Sequence, residues 1–213
     1  MYQPAHFKEE RIEVLHQLIR DFPLGSLVTM GADGLSANHI PFEIVPGPAP
    51  FGTLRVHVAR ANTVWKDVAA GNEVMVIFQG ADGYISPSWY PSKKEHGKVV
   101  PTWNYAVVHA HGPLKVFDDA EWLRAFVTGL TNRHEGAMPA PWKVSDAPGD
   151  FIDTMLKAIV GIEIPVARMV GKWKVSQNRG AADREGVIAG LGNVGTDNAR
   201  VMGAMVPKET DKT

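Results

Sequence analysis

Cysteine is absent from the 213 residues, so disulfides, thiolate metal ligands and a cysteine nucleophile are all excluded. No apolar run approaches the roughly 18 residues needed to cross a bilayer. The N-terminal MYQPAHFKEERIEV carries charge where a secretion signal needs an apolar stretch. A cytoplasmic location without membrane attachment is therefore expected. Charge of one sign is missing too: the formal net charge is −1 and the pI about 6.7. That balance gives no overall drive toward nucleic acid or an anionic membrane. There is no G-x-S-x-G, no H-E-x-x-H and no P-loop, and no helix-turn-helix, zinc finger or basic zipper. Ser86 and Ser88 have no evident base partner, so no catalytic residue is assigned.

What is present is a mixture of short periodic segments. Residues 8–20 place Ile12, Leu15, Leu18 and Ile19 at helical spacing, and Pro23 ends that helix. Two strand-like runs flank Ala32-Asp33-Gly34, a hairpin signal. TLRVHVA alternates Leu54, Val56 and Val58 with polar residues, as a half-buried strand does. NTVWKDVAAG fits a short helix with Asn62 as N-cap and Gly71 as stop. EVMVIFQG reads as a buried strand, and NYAVVHAHGPLKVF as a long strand bent at Gly112-Pro113. Asp118 and Glu121 have capping-box spacing for a helix through EWLRAFVTGL. FIDTMLKAIV suggests another helix, and GIEIPVARMVGKWKVSQ a further pair of strands. No regular βαβ alternation or internal repeat occurs. The expectation is one domain over 1–196, mainly β with flanking helices, built as an antiparallel barrel. Residues 197–213 are expected to form a weakly ordered tail.

Several stretches carry candidate chemistry. GLGNVG at 190–195 matches G-x-G-x-x-G, but too little chain follows for a βαβ unit, so it is not read as a nucleotide site. In HVARANTVWK a strand delivers Arg60 to the start of the Asn62-capped helix. The amides of Thr63, Val64 and Trp65 lie in its first turn, and Lys66 can reach back, an arrangement that favours an anion such as phosphate. An ordinary capped helix with solvated cations is the alternative. His109 and His111 share a strand face and can ligate metal or simply hydrogen-bond. No carboxylate stands near them in sequence, and no metal is expected. Lys172 and Lys174 share a strand face, and Ser176, Gln177, Asn178 and Arg179 follow. These residues form either a solvated strand end or the wall of a pocket for an oxygen-rich ligand. Residues 84–105, YISPSWYPSKKEHGKVVPTWNY, gather three of the four tyrosines and two of the six tryptophans around two proline-pinned corners.

Taken together, MYQPAHF, HVARANTVWK, GYISPSWY, VPTWNYAVVHAHG, LTNRHE, IVGIEIPVARMVGKWKVSQNR and DREGVIAGL resemble the PaiB family, the FMN-binding negative transcriptional regulators. The match runs in family order over residues 1–191. It implies a split β-barrel similar to flavin reductases and pyridoxamine-phosphate oxidases, FMN as cofactor, and a homodimer with ligand sites at the subunit interface. It also implies a flavin-dependent sensor or negative regulator. DNA enters as a partner through the resemblance alone. On this basis Arg60, Asn62, Thr63, Trp65 and Lys66 are expected to hold the FMN phosphate. Trp89, Trp103, Asn104 and Lys174 are expected to line the rest of the cofactor site. A flavin-dependent oxidoreductase is the alternative, as is a haem-handling relative with His109 or His111 near the iron.

Overall fold

The computed structural model of the chain describes residues 1–67 and 72–208. Its first half contains β1 (Lys8–Glu9), α1 (Ile12–Asp21), β2 (Leu24–Gly31), β3 (Gly34–Pro41), β4 (Glu43–Val45), β5 (Thr53–Ala59), α2 (Val64–Asp67), β6 (Glu73–Ile85) and α3 (Ser92–His96). Then follow β7 (Thr102–Pro113), β8 (Lys115–Phe117), α4 (Ala120–Glu135), α5 (Gly149–Lys157), β9 (Ile159–Pro165), β10 (Arg168–Lys174), α6 (Ala181–Val194) and α7 (Asp197–Met205). The fold is a mixed α+β arrangement of antiparallel sheets flanked by helices, as expected. Among the described residues no helix is long and apolar enough to cross a membrane.

By its contacts the chain divides into two compact units. One comprises Met1–Phe22, Phe78–His109 and Val170–Thr213, the other Pro23–Ile77 and Ala110–Met169. The sequence hides this division because its boundaries fall inside the long strands β6 and β7, with no linker composition to mark them.

In the second unit, β2 and β3 form the expected hairpin in register Gly31↔Gly34. Gly34 takes φ +101°, a conformation that side-chain-bearing residues adopt at a cost. β2 also pairs antiparallel with β6. A second sheet runs β4-β5-β9-β8. Leu54, Val56 and Val58 face Ile164, Ile162 and Val160 across the β5–β9 ladder, and all six are buried. Burying each such side chain stabilises by roughly 1.5–3 kcal/mol. Helix α4 packs on this sheet by placing the Trp122 indole over Gly161, where an added Cβ would lie 2.2 Å from the ring. Its N-cap is Asp119, which accepts from the Trp122 amide at 2.7 Å. The capping residue is therefore one position later than the Asp118–Glu121 spacing suggests, because Asp118 is bound to Arg60. The strand through NYAVVHAHGPLKVF breaks at Leu114, whose side chain is buried.

In the first unit, β1 pairs with β10 and the sheet continues through β7 and β6. Helix α1 begins at Ile12 rather than residue 8 and buries Leu15, His16, Leu18 and Ile19. Ala81, Ile85, Tyr90, Val175, Val187, Leu191, Ala199, Met202 and Val206 form one core cluster. Met202 and Val206 belong to the stretch expected as a weakly ordered tail. Residues 197–205 are instead helical, because Thr196 caps α7 by accepting from the Ala199 amide and Met202 is fully buried. GLGNVG lies within and just after α6, and its first glycine, like Gly186 one turn earlier, makes room for Trp89. A methyl on Gly190 would sit 2.1 Å from the Trp89 indole, and one on Gly186 would sit 1.9 Å from the Trp89 carbonyl.

Candidate flavin site

The strand-to-helix turn after β5 is built by side-chain hydrogen bonds. Asn62 Oδ1 accepts from the Val64 amide at 3.0 Å, and Asn62 Nδ2 donates to Asn38 Oδ1 at 2.9 Å. The first bond confirms Asn62 as the cap. It also occupies the Val64 amide, one of the donors assigned to an anion from sequence. Gly71, the expected stop of this helix, lies outside the described residues.

Asn62, Thr63 and Val64 form one wall of an open groove of about 530 Å³, and the β2–β3 hairpin forms the other with Thr29, Ser36 and Asn38. That size falls within the range of small-molecule sites. Hydroxyls and carboxamides supply donors and acceptors suited to a phosphate and a polyol chain. The residues therefore fit the phosphate-and-ribityl end of a flavin mononucleotide. Thr29, Ser36 and Asn38 escaped the sequence reading because nothing in a hairpin pattern marks which exposed face meets a helix start 25 residues later.

Arg60, expected at the phosphate, is bound to other parts of the chain. Its Nη1 and Nη2 donate to the two Asp118 carboxylate oxygens at 2.8 and 2.6 Å. Its Nε donates to the Lys157 carbonyl at 2.7 Å, and Nη2 also to the Ile159 carbonyl at 3.1 Å. The guanidinium therefore fastens the end of β5 to the α5–β9 connection and leaves little donor capacity for a phosphate. Its hydrogen bond also holds the Asp118 carboxyl below the usual range. Trp65 donates Nε1 to the Arg60 carbonyl at 3.3 Å, and the Lys66 ammonium lies 4.8 Å from the Trp65 ring centroid.

The remaining expected residues fall in the first unit. Trp89 is committed to the α6 glycines. Asn104 is 1% exposed, and its amide donates to Ser176 Oγ at 2.9 Å. It braces the strand end. Ser176 holds φ +63°, an uncommon conformation for a residue with a side chain. Trp103, in contrast, is 56% exposed, with Tyr84 edge-on to it at 6.0 Å. Lys174 donates to the Trp103 carbonyl at 2.8 Å and to Thr102 Oγ1. Lys172 and Tyr2 join this cluster. Lys172 was visible as part of the Lys-x-Lys face, whereas nothing in the sequence marked Tyr2.

Of the histidines, His57 is packed edge-on to Phe126 at 5.8 Å, and burial pushes its pKa down. His111 is lowered by burial and then by Arg168. Among the described residues no group of three or more His, Cys, Asp or Glu side chains is arranged to hold a metal.

Antiparallel sheets with flanking helices and a polar groove at a strand-to-helix turn make this an α+β protein with room for a small-molecule cofactor. Residues 1–168 match the family described as "Putative FMN-binding domain", and the chain belongs to that family. Its cofactor is FMN or a related flavin. An uncharacterised protein of Emericella nidulans is 36% identical over 97% of this chain and 96% of its own length. The protease synthase and sporulation protein PAI 2 of Bacillus subtilis is 30% identical over 100% of this chain and 99% of its own. Two solved structures share the fold. The FAD and heme binding protein of Mycobacterium smegmatis has TM-score 0.60 at 17% identity, covering 86% of this chain and 80% of that one. A conserved hypothetical protein of Mycobacterium tuberculosis has TM-score 0.58 at 14% identity, covering 84% and 94%.

Proposed function

We propose that the chain binds FMN with the phosphate and ribityl chain in the groove between the β2–β3 hairpin and the Asn62–Val64 turn. The observation that carries this reading is the polar lining of Thr29, Ser36, Asn38, Asn62 and Thr63 around one opening of cofactor-compatible size. Lys66 supplies the cation, and Arg60 supports the turn. When bound, the isoalloxazine accepts and returns electrons, and the chain's residues bind and orient it. Titration of the apoprotein with FMN and with riboflavin tests this. Lys66→Gln is expected to weaken FMN by roughly 10-fold or more, the range for one charge-assisted contact, and to leave riboflavin unchanged. Equal affinity for the two flavins in the unaltered chain would overturn it.

The groove is open and bordered by Leu35, which is 74% exposed and pairs across the hairpin with Met30, 60% exposed. An exposed apolar pair where the edge strand β3 meets β2 favours a second protein surface. The proposed assembly is a homodimer that covers this pair, with light scattering expected at twice 23.2 kDa. A monomer at micromolar concentration contradicts it.

The proposed role is that of a flavin-dependent sensor acting as a negative regulator, supported by likeness to the sporulation protein of Bacillus subtilis. Near-zero net charge offers little counterion release, so regulation is proposed to run through a ligand or protein partner instead of tight DNA binding. Sustained NAD(P)H oxidation by the FMN-loaded chain would replace this role with that of an oxidoreductase.

A further inference from the structure

Beyond the flavin groove, the first unit contains two lysines whose surroundings call for an anion. Lys172 is 7% exposed, yet the acceptor recorded for its ammonium is the Tyr2 carbonyl at 3.0 Å. The Tyr2 and Tyr105 rings flank it at 5.7 and 5.2 Å. Lys174, two residues along the same strand face, donates to the Trp103 carbonyl and Thr102 Oγ1. Among the described residues neither ammonium has a carboxylate within 4 Å. Buried charges are normally paired, and an unpaired ammonium loses hydration without gaining a counter-charge.

Two of the three aromatic residues touching these lysines also line a depression. Trp103, Tyr105, Val107, Gln79 and Asp82 line an open depression of about 400 Å³. Trp103 and Tyr105 lie on one face of β7 because strand side chains alternate. Trp103 meets Lys174 through its carbonyl, and Tyr105 meets Lys172 through its ring. The acid of this lining, Asp82, is already held by Gln79 Nε2 at 3.0 Å and Asn198 Nδ2 at 3.4 Å. Flat rings beside unneutralised ammonium groups select a flat ligand with a negative end.

We propose that this face of β7 and β10 is a second ligand site, for a small aromatic carboxylate. The ring lies against Trp103 and Tyr105, and the carboxylate is held by Lys174 and Lys172. Burial, with Lys172 and Arg179 nearby, lowers the Lys174 pKa. The site shares no lining residue with the flavin groove, so either can fail without the other.

Calorimetry on the full chain, with and without FMN, tests the proposal using 2-naphthoate, neutral 2-naphthalenemethanol and inorganic phosphate. The expected result is naphthoate binding of equal strength in both forms, with the alcohol and phosphate each roughly 10-fold weaker or worse. Lys174→Gln should weaken naphthoate by a similar factor. Trp103→Ala, at an exposed position that folding tolerates, should weaken naphthoate and leave phosphate unaffected. Displacement of naphthoate by FMN would assign the face to the flavin. Phosphate binding as strong as naphthoate would remove the aromatic requirement. No heat in a folded chain, or unchanged affinity in both variants, would also overturn the proposal.

Discussion

The Trp89 indole occupies the space where a side chain on Gly190 would stand, 2.1 Å from Cδ2 to an added Cβ. Gly190→Ala is therefore expected to destabilise the chain by roughly 1–3 kcal/mol through overpacking. That is several degrees of Tm for a chain of this size. Gly192, on the same helix, has nothing within 4 Å of an added methyl. Gly192→Ala should be neutral or stabilising by up to about 1 kcal/mol. Thermal melts of the two variants check the contrast, and equal melting temperatures would contradict it.

Arg60→Ala should weaken FMN and riboflavin by the same factor. The guanidinium holds Asp118 and two carbonyls, so its loss loosens the turn that forms the groove without removing a phosphate contact. A loss confined to FMN would return Arg60 to the phosphate.

Acid should destabilise the fold through His57. Burial lowers its folded pKa below the ordinary value near 6.5, so the unfolded chain takes up a proton that the folded chain resists. The stabilisation is complete above about pH 6.5 and is lost as the pH falls toward the lowered folded value. His57→Phe should flatten this acid limb in melts between pH 7 and 5. His111, lowered in the same sense, leaves a residual slope. An unchanged limb would show that His57 titrates normally.

Ser176→Ala should cost roughly 1–3 kcal/mol, because it leaves the buried Asn104 amide without its hydroxyl partner. Urea unfolding measures this. A variant as stable as the parent would mean that Asn104 finds another partner at no cost.

Local periodicity made much of the fold legible. The Asp33-Gly34 hairpin, the β5 alternation and the Asn62 cap each depend on neighbours within a few residues. What periodicity could not convey was partnership across the chain. Arg60 is followed by a helix start and suggested a phosphate, but its ion pair with Asp118, 58 positions away, leaves no trace in the local sequence. Trp89 suggested a ligand wall until α6 brought its glycines against the ring. The C-terminal helices were missed because GLGNVG and the residues beyond look unstructured until their small side chains are seen as room for a larger one.

The interleaving of the two units also bears on how the chain is made. The unit begun by Met1–Phe22 is completed only by Val170–Thr213, so it cannot close until nearly the whole chain has left the ribosome. Helix α1 must wait through most of synthesis, and the exposed Leu15, Leu18 and Ile19 of a nascent chain are natural ground for a chaperone. A truncation near residue 168, where the family match ends, would release a chain whose opening segment lacks its β10 partner.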